Sequence, residues 1–210
     1  MIRWLLCAAL LSLAMAAAPA SAADTVPLYV SVGVGSFDPE GSSALATNRD
    51  GDFAIAAALG YQRSRYLSLE LDVIYLEQEF DTPPGIPSGG FVTVDERADL
   101  TVSGMAAVVK LGHPIGPLRP YVGLGAGIYI SQLTVFGTVF GLPAWHEEDD
   151  THVGYQWLAG VSLPVGERWS IGAEFRRTEL RADFGALTGG KLDTGGDSLL
   201  LTVRWDLAQP

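Results

Sequence analysis

Near its C-terminus the chain reads Leu199-Leu-Leu-Thr-Val-Arg-Trp-Asp-Leu207. Leu199, Leu201, Val203, Trp205 and Leu207 take alternate positions, and Thr202, Arg204 and Asp206 lie between them. Successive side chains of an extended strand point to opposite faces, so this stretch has one wholly apolar face and one largely polar face. The same pattern recurs upstream. Leu67, Leu69, Leu71, Val73 and Tyr75 oppose Ser68, Glu70 and Asp72, and Trp169, Ile171, Ala173 and Phe175 oppose Ser170, Gly172, Glu174 and Arg176. Val122, Leu124, Ala126, Ile128 and Ile130 oppose three glycines and Tyr129, while Tyr155, Trp157, Ala159, Val161 and Leu163 oppose Gln156, Gly160 and Ser162.

These runs predict an all-β chain of eight strands, near 27–37, 52–61, 65–79, 97–111, 120–134, 152–164, 168–182 and 197–207. The strand at 97–111 is apolar on both faces from Leu100 to Leu111, which leaves its register open. The connections alternate in length, with long ones at 38–51, 80–96, 135–151 and 183–196 and short ones at 62–64, 112–119 and 165–167. In an antiparallel meander, alternate connections lie at opposite ends of the sheet. All short turns therefore gather at one end and all long loops at the other, as in transmembrane barrels with tight periplasmic turns and longer external loops.

The polar faces separate lipid from water as the outer solvent. A soluble barrel would fill them with Lys, Glu, Asn and Gln; here they are rich in Gly, Ala and Ser, with scattered charges of both signs. Small side chains suit the lumen of an eight-stranded barrel, which is only just wide enough for side chains to fill. The large apolar side chains then face lipid. Trp169 and Trp205 fall at the short-turn end, and Tyr75, Tyr155 and Trp157 at the other, as two aromatic girdles would. An open sheet edge in hydrocarbon would leave backbone groups unpaired at several kcal/mol each, so the first and last strands are expected to pair.

The N-terminus indicates export. Arg3 precedes an apolar run from Trp4 to Ala18, then Pro19 and the small residues Ala20-Ser21-Ala22. This is the order of a cleavable signal peptide, and the run is too short to span a membrane as a helix. We expect a signal peptide over 1–22 and a barrel domain over 23–210; cleavage after Ala23 fits nearly as well. Cys7, the only cysteine, would leave with the signal, so no disulfide is expected. Loss of Arg3 moves the net charge from −11 to about −12, a balance unsuited to nucleic-acid binding.

The stretches Arg119-Pro-Tyr-Val-Gly-Leu-Gly-Ala-Gly127, Tyr66-Leu-Ser-Leu-Glu-Leu71 and Leu201-Thr-Val-Arg-Trp205 resemble the OmpA-type small outer-membrane barrels of the porin-like group. The resemblance implies an eight-stranded up-and-down transmembrane β-barrel in a bacterial (Gram-negative) outer membrane. Its partners would be outer-membrane lipids, lipopolysaccharide and the barrel-assembly machinery. Barrels of that group often end on an aromatic residue, whereas this chain continues from Trp205 to Pro210.

Three groups of residues bear on chemistry. Glu70, Asp72, Glu174, Arg176, Arg204 and Asp206 lie on polar faces and are expected to pair as a charge network that fills the lumen. His146-Glu147-Glu148-Asp149-Asp150-Thr151-His152, in the third long loop, offers carboxylates and imidazoles to a divalent cation, although its spacing is no recognised calcium loop and a solvated acidic loop explains it as well. Arg63, Arg65, Lys110, Arg119 and Arg168 gather at the short turns, opposed by Glu167, where they face anionic headgroups or simply water.

Catalysis finds little support. His113, His146 and His152 are the only histidines, none on a strand beside a serine, and Gly123-Leu-Gly-Ala-Gly127 has the wrong glycine spacing for a nucleotide loop. No cofactor is expected. The sequence is thus read as a non-enzymatic outer-membrane barrel with a structural or surface-interaction role, whose long loops meet an extracellular ligand. The alternatives are a narrow pore or lateral channel for small or apolar solutes, and a lipid A-modifying enzyme.

Overall fold

The computed structural model describes residues 28–39, 53–80, 92–139, 142–184 and 191–207. The expected signal peptide at 1–22 and most of the first two long connections lie outside them. The strands are β1 (Leu28–Pro39), β2 (Phe53–Gln62), β3 (Leu67–Phe80), β4 (Val92–Gly112), β5 (Arg119–Val139), β6 (Leu142–Pro164), β7 (Trp169–Glu179), β8 (Arg181–Asp183), β9 (Lys191–Asp193) and β10 (Gly196–Asp206). Eight of them form a closed antiparallel barrel in the order β1-β10-β7-β6-β5-β4-β3-β2. β8 and β9 form a separate two-stranded hairpin on the connection between β7 and β10.

Closure is made by β1 against β10, in register from Tyr29↔Asp206 to Pro39↔Gly196. Beyond the last pair, the Leu207 amide donates to the Leu28 carbonyl at 2.8 Å. The seam satisfies the two edges that would otherwise be bare in hydrocarbon. Alternation then sorts the side chains. Leu199, Leu201, Val203 and Trp205 face out and are exposed, whereas Leu200 and Ser198 face in and are buried. On β4 the even positions Leu100, Val102, Ala106 and Val108 are buried and Val109 and Leu111 are exposed, which settles the ambiguous register.

Three expectations need correction. β4, β5 and β6 run well beyond their expected ends. The segment 135–151, expected as a loop, is instead paired β5–β6 hairpin, with Val135↔His146 and Val139↔Leu142 in register. The seventh strand stops at Glu179, and β8 replaces its expected last residues. The short turns sit where the sequence places them, and the amide of Gly112, which closes the β4 end, donates to the Tyr66 carbonyl at 2.8 Å.

Inward glycines make room for aromatic rings. A Cβ on Gly60 would overlap the Tyr29 ring, and one on Gly104 would overlap Tyr129. Parts of the lumen are therefore filled by large side chains laid against bare backbone.

Candidate functional site

The lumen divides into three tiers along the barrel axis. The middle tier is a charge cluster. Lys110 Nζ lies 2.7 Å from Glu70 Oε2 and 2.9 Å from Glu174 Oε2. The Arg176 guanidinium reaches Glu174 Oε1 at 2.7 Å and Asp72 Oδ2 at 2.8 Å. Tyr29 Oη donates to Glu70 Oε1 at 2.5 Å, and Tyr121 Oη donates to Glu174 Oε2 at 3.0 Å. Gln156 accepts from Arg176 at 3.2 Å and donates towards Asp72 at 3.4 Å. These side chains come from β1, β3, β4, β5, β6 and β7, so the cluster ties most of the wall together across the lumen. Glu70, Asp72, Lys110, Glu174 and Arg176 are all buried, and their charges face each other instead of water.

Towards the short turns lies a cavity of about 630 Å³, floored by Glu70, Lys110 and Glu174. Arg204 is on its wall, bonded to Asp206 through Nη2 at 2.7 Å and to Gln62 at 3.1 Å. Its guanidinium carbon stands 3.5 Å from the centroid of the Tyr29 ring, so a stacked cation links this pair to the middle tier.

The third tier, towards the long connections, is largely apolar, with Gln78, Ser131, Thr178 and Ser198 buried in it as neutral polar groups. Phe37, Ile74, Leu76, Leu100, Tyr129, Leu133, Leu158 and Leu200 are buried together there. The β8–β9 hairpin closes this tier by contributing Leu180, Ala182 and Phe184 to the same core. Ser131 and Thr194 hydroxyls lie 3.1 Å apart, and the Asp183 amide donates to Asp150 Oδ2 at 2.8 Å. A Cβ on Gly154 would overlap Leu180, so the bare β6 backbone is the seat of the hairpin.

Of the six expected lumen charges, Glu70, Asp72, Glu174 and Arg176 come together, while Arg204 and Asp206 form their own half-buried pair. Sequence reading missed Lys110, Tyr29 and Tyr121. Lys110, assigned to the short-turn cations, is instead at the centre of the cluster. The signal was its even number on β4, legible only once that strand's register is known. The parity of β5 also pointed inwards at Tyr121.

His146, Glu147, Glu148, Asp149, Asp150 and His152 lie on β6, not in a loop. Strand alternation puts His146, Glu148, Asp150 and His152 on one face and Glu147 and Asp149 on the other. His152 Nδ1 is 3.6 Å from Asp150 Oδ2, and Gln132 bonds Glu147. Among the described residues no three His, Cys, Asp or Glu side chains converge as a metal set. Of the expected girdle residues, Trp169 and Trp205 are register partners and stack with centroids 5.5 Å apart. Trp157 packs on Phe175, and Tyr75 Oη donates to Glu77 at 3.0 Å; both aromatics, like Tyr155, face outwards.

The family model described as outer membrane protein beta-barrel domain matches residues 7–205. No curated protein matches the sequence. Solved structures similar in fold include Neisserial surface protein A, at 18% identity and a TM-score of 0.55, covering 86% of this chain and 97% of that one. Another is the outer membrane protein OprG from Pseudomonas aeruginosa, at 12% identity and a TM-score of 0.59, covering 88% and 97%. Ail, the attachment invasion locus protein of Yersinia pestis, in complex with the heparin analogue sucrose octasulfate, matches at 11% identity and a TM-score of 0.51, covering 88% and 100%.

Proposed function

This chain belongs to the outer membrane protein β-barrel family, and from that premise we propose that it is a non-enzymatic barrel with a closed lumen, acting through its outer end. It is a protein of the bacterial outer membrane. The observation that supports the proposal is that two barriers lie in series along the lumen. A solute entering from the short turns meets Glu70, Lys110, Glu174 and Arg176 bonded to one another, and behind them an apolar core capped by the β8–β9 hairpin. Separating buried paired charges costs several kcal/mol per ion, and the tier behind them offers an ion neutral groups such as Gln78, Ser131 and Thr178 in place of its hydration shell.

Catalysis is poorly supported by the same geometry. Ser131, the register partner of Asp150, is buried and bonded to Thr194. His113 stacks parallel to Tyr66 at a short turn, with centroids 5.5 Å apart.

The outer end offers a tip and flanks of distinct chemistry. Leu142 and Trp145, near the β5–β6 turn, are 70% and 71% exposed, and Glu147 and Asp149 follow them on β6. Such a surface suits a partner with apolar and cationic groups and would repel a polyanion of the kind bound to Ail. The test of closure is conductance in planar bilayers: purified protein is expected to give no steady channel steps, and large, sustained open currents would overturn the closed-lumen reading.

A further inference from the structure

The short-turn end combines two features that a turn bathed only in water has no reason to combine. The first is charge. Arg63, Arg65, Arg119 and Arg168 are all exposed, distributed over the three turns, and Glu167 is the only carboxylate on those turns. The second is apolar exposure on the same turns: Ile115 is 62% exposed, Leu118 46% and Val165 54%.

The turns are also rigid. Ile115 and Leu118 exchange both amide-to-carbonyl hydrogen bonds, at 2.8 and 3.2 Å, with Gly116 at a φ of 60° supplying the left-handed corner. Val165 donates to the Trp169 carbonyl at 2.9 Å, and Asp206 donates to the Arg168 carbonyl at 2.9 Å. Ser64 Oγ accepts from the amides of Tyr66 and Leu67 at 3.2 and 3.1 Å, which fixes the third turn. Arg168 is thus held beside the exposed Trp169–Trp205 stack, and Arg65 lies 4.5 Å from the centroid of the Tyr66 ring. Outward tryptophans of this kind sit at headgroup level in membrane barrels.

We propose that this end is a preformed binding surface for anionic phospholipids. The four arginines pair with headgroup phosphates, while Ile115, Leu118 and Val165 enter the acyl boundary. Arginine presents a planar fork that matches phosphate bidentately, and the mixture of apolar and cationic side chains is what an anionic membrane interface selects. Because the turn backbones are hydrogen-bonded before lipid arrives, the ordering cost of binding falls on the arginine side chains alone.

The test uses W4F/W145F/W157F protein, which keeps Trp169 and Trp205 as its only tryptophans, both at the short-turn end. It is refolded into phosphatidylcholine vesicles containing either brominated phosphatidylglycerol or brominated phosphatidylcholine, and tryptophan quenching is compared. One arginine at headgroup contact corresponds to a preference of about fivefold for the anionic lipid. We expect a preference of at least that size in the protein with its arginines. It should fall close to one in R63Q/R65Q/R119Q/R168Q, persist when all four become lysine, and weaken with added salt. Heat-modifiable gel migration reports that each variant is folded. If the fourfold variant does not fold, R63Q/R65Q and R119Q/R168Q are each expected to lose part of the preference. Equal quenching by the two lipids, or a preference that survives the glutamine changes, would overturn the proposal.

Discussion

Lys110 shows what a single residue does in this lumen. It bridges Glu70 on β3 and Glu174 on β7, while Arg176 joins Glu174 to Asp72. Lys110→Met would leave two buried carboxylates facing each other, and removing one partner of a buried ion pair costs about 3–5 kcal/mol. The expected result is a marked fall in the urea midpoint of the refolded barrel in detergent. Arg204→Met, which breaks a pair that is partly wet, should cost about 1 kcal/mol or less. Equal losses for the two variants would contradict the tiered description. Lys110 is also where sequence reading failed most instructively. The inner face of β4 belongs to the apolar tier at Leu100 and Val102 and to the charged tier at Lys110, so neither face alternates in polarity. With both faces apolar, the lysine looked like part of the turn that follows it.

Among the elements, the β8–β9 hairpin and the β5–β6 extension behave in opposite ways. The hairpin has three-residue strands, too short to be stable alone, and it is held by burying Leu180 and Phe184 in the mouth of the barrel. Leu180→Ser with Phe184→Ser is expected to release it, read as faster proteolysis between 180 and 195, without opening a conductance, because the charge cluster still closes the lumen. Only the same pair combined with Lys110→Met should admit ions, and a conducting hairpin variant with the cluster intact would show that the closures are not in series. The break between β7 and β8 was not legible, because Leu180, Ala182 and Phe184 alternate with Arg181 and Asp183 and so continue the period of the seventh strand, which was expected to run to 182. The β5–β6 extension was misread for a different physical reason. Beyond the lipid both faces of a strand meet water or polar groups, so the His146–His152 stretch has no apolar face to reveal its alternation. The transmembrane parts of β3, β5, β7 and β10 were legible because lipid on one side and a narrow lumen on the other impose opposite chemistries on successive residues.

The whole molecule is a closed sheet without helices among its described residues. Such barrels resist dodecyl sulfate until heated, because the ladder has no edge at which unzipping starts. We expect the protein in the outer-membrane fraction to migrate as two gel species, a compact one in unheated samples and an extended one after boiling. A single species at both temperatures, with the protein recovered in a soluble fraction, would undo the architecture.

The seam between β1 and β10 has a consequence for biogenesis. Its register joins Tyr29 to Asp206, so the first strand to leave the ribosome waits for the last. A half-exported chain has two unsatisfied edges and half a lumen, and it cannot bank any intermediate barrel in lipid. Folding in the membrane therefore waits for the last strand, and a chain shortened by that strand is expected to be lost from the outer-membrane fraction instead of forming a smaller barrel.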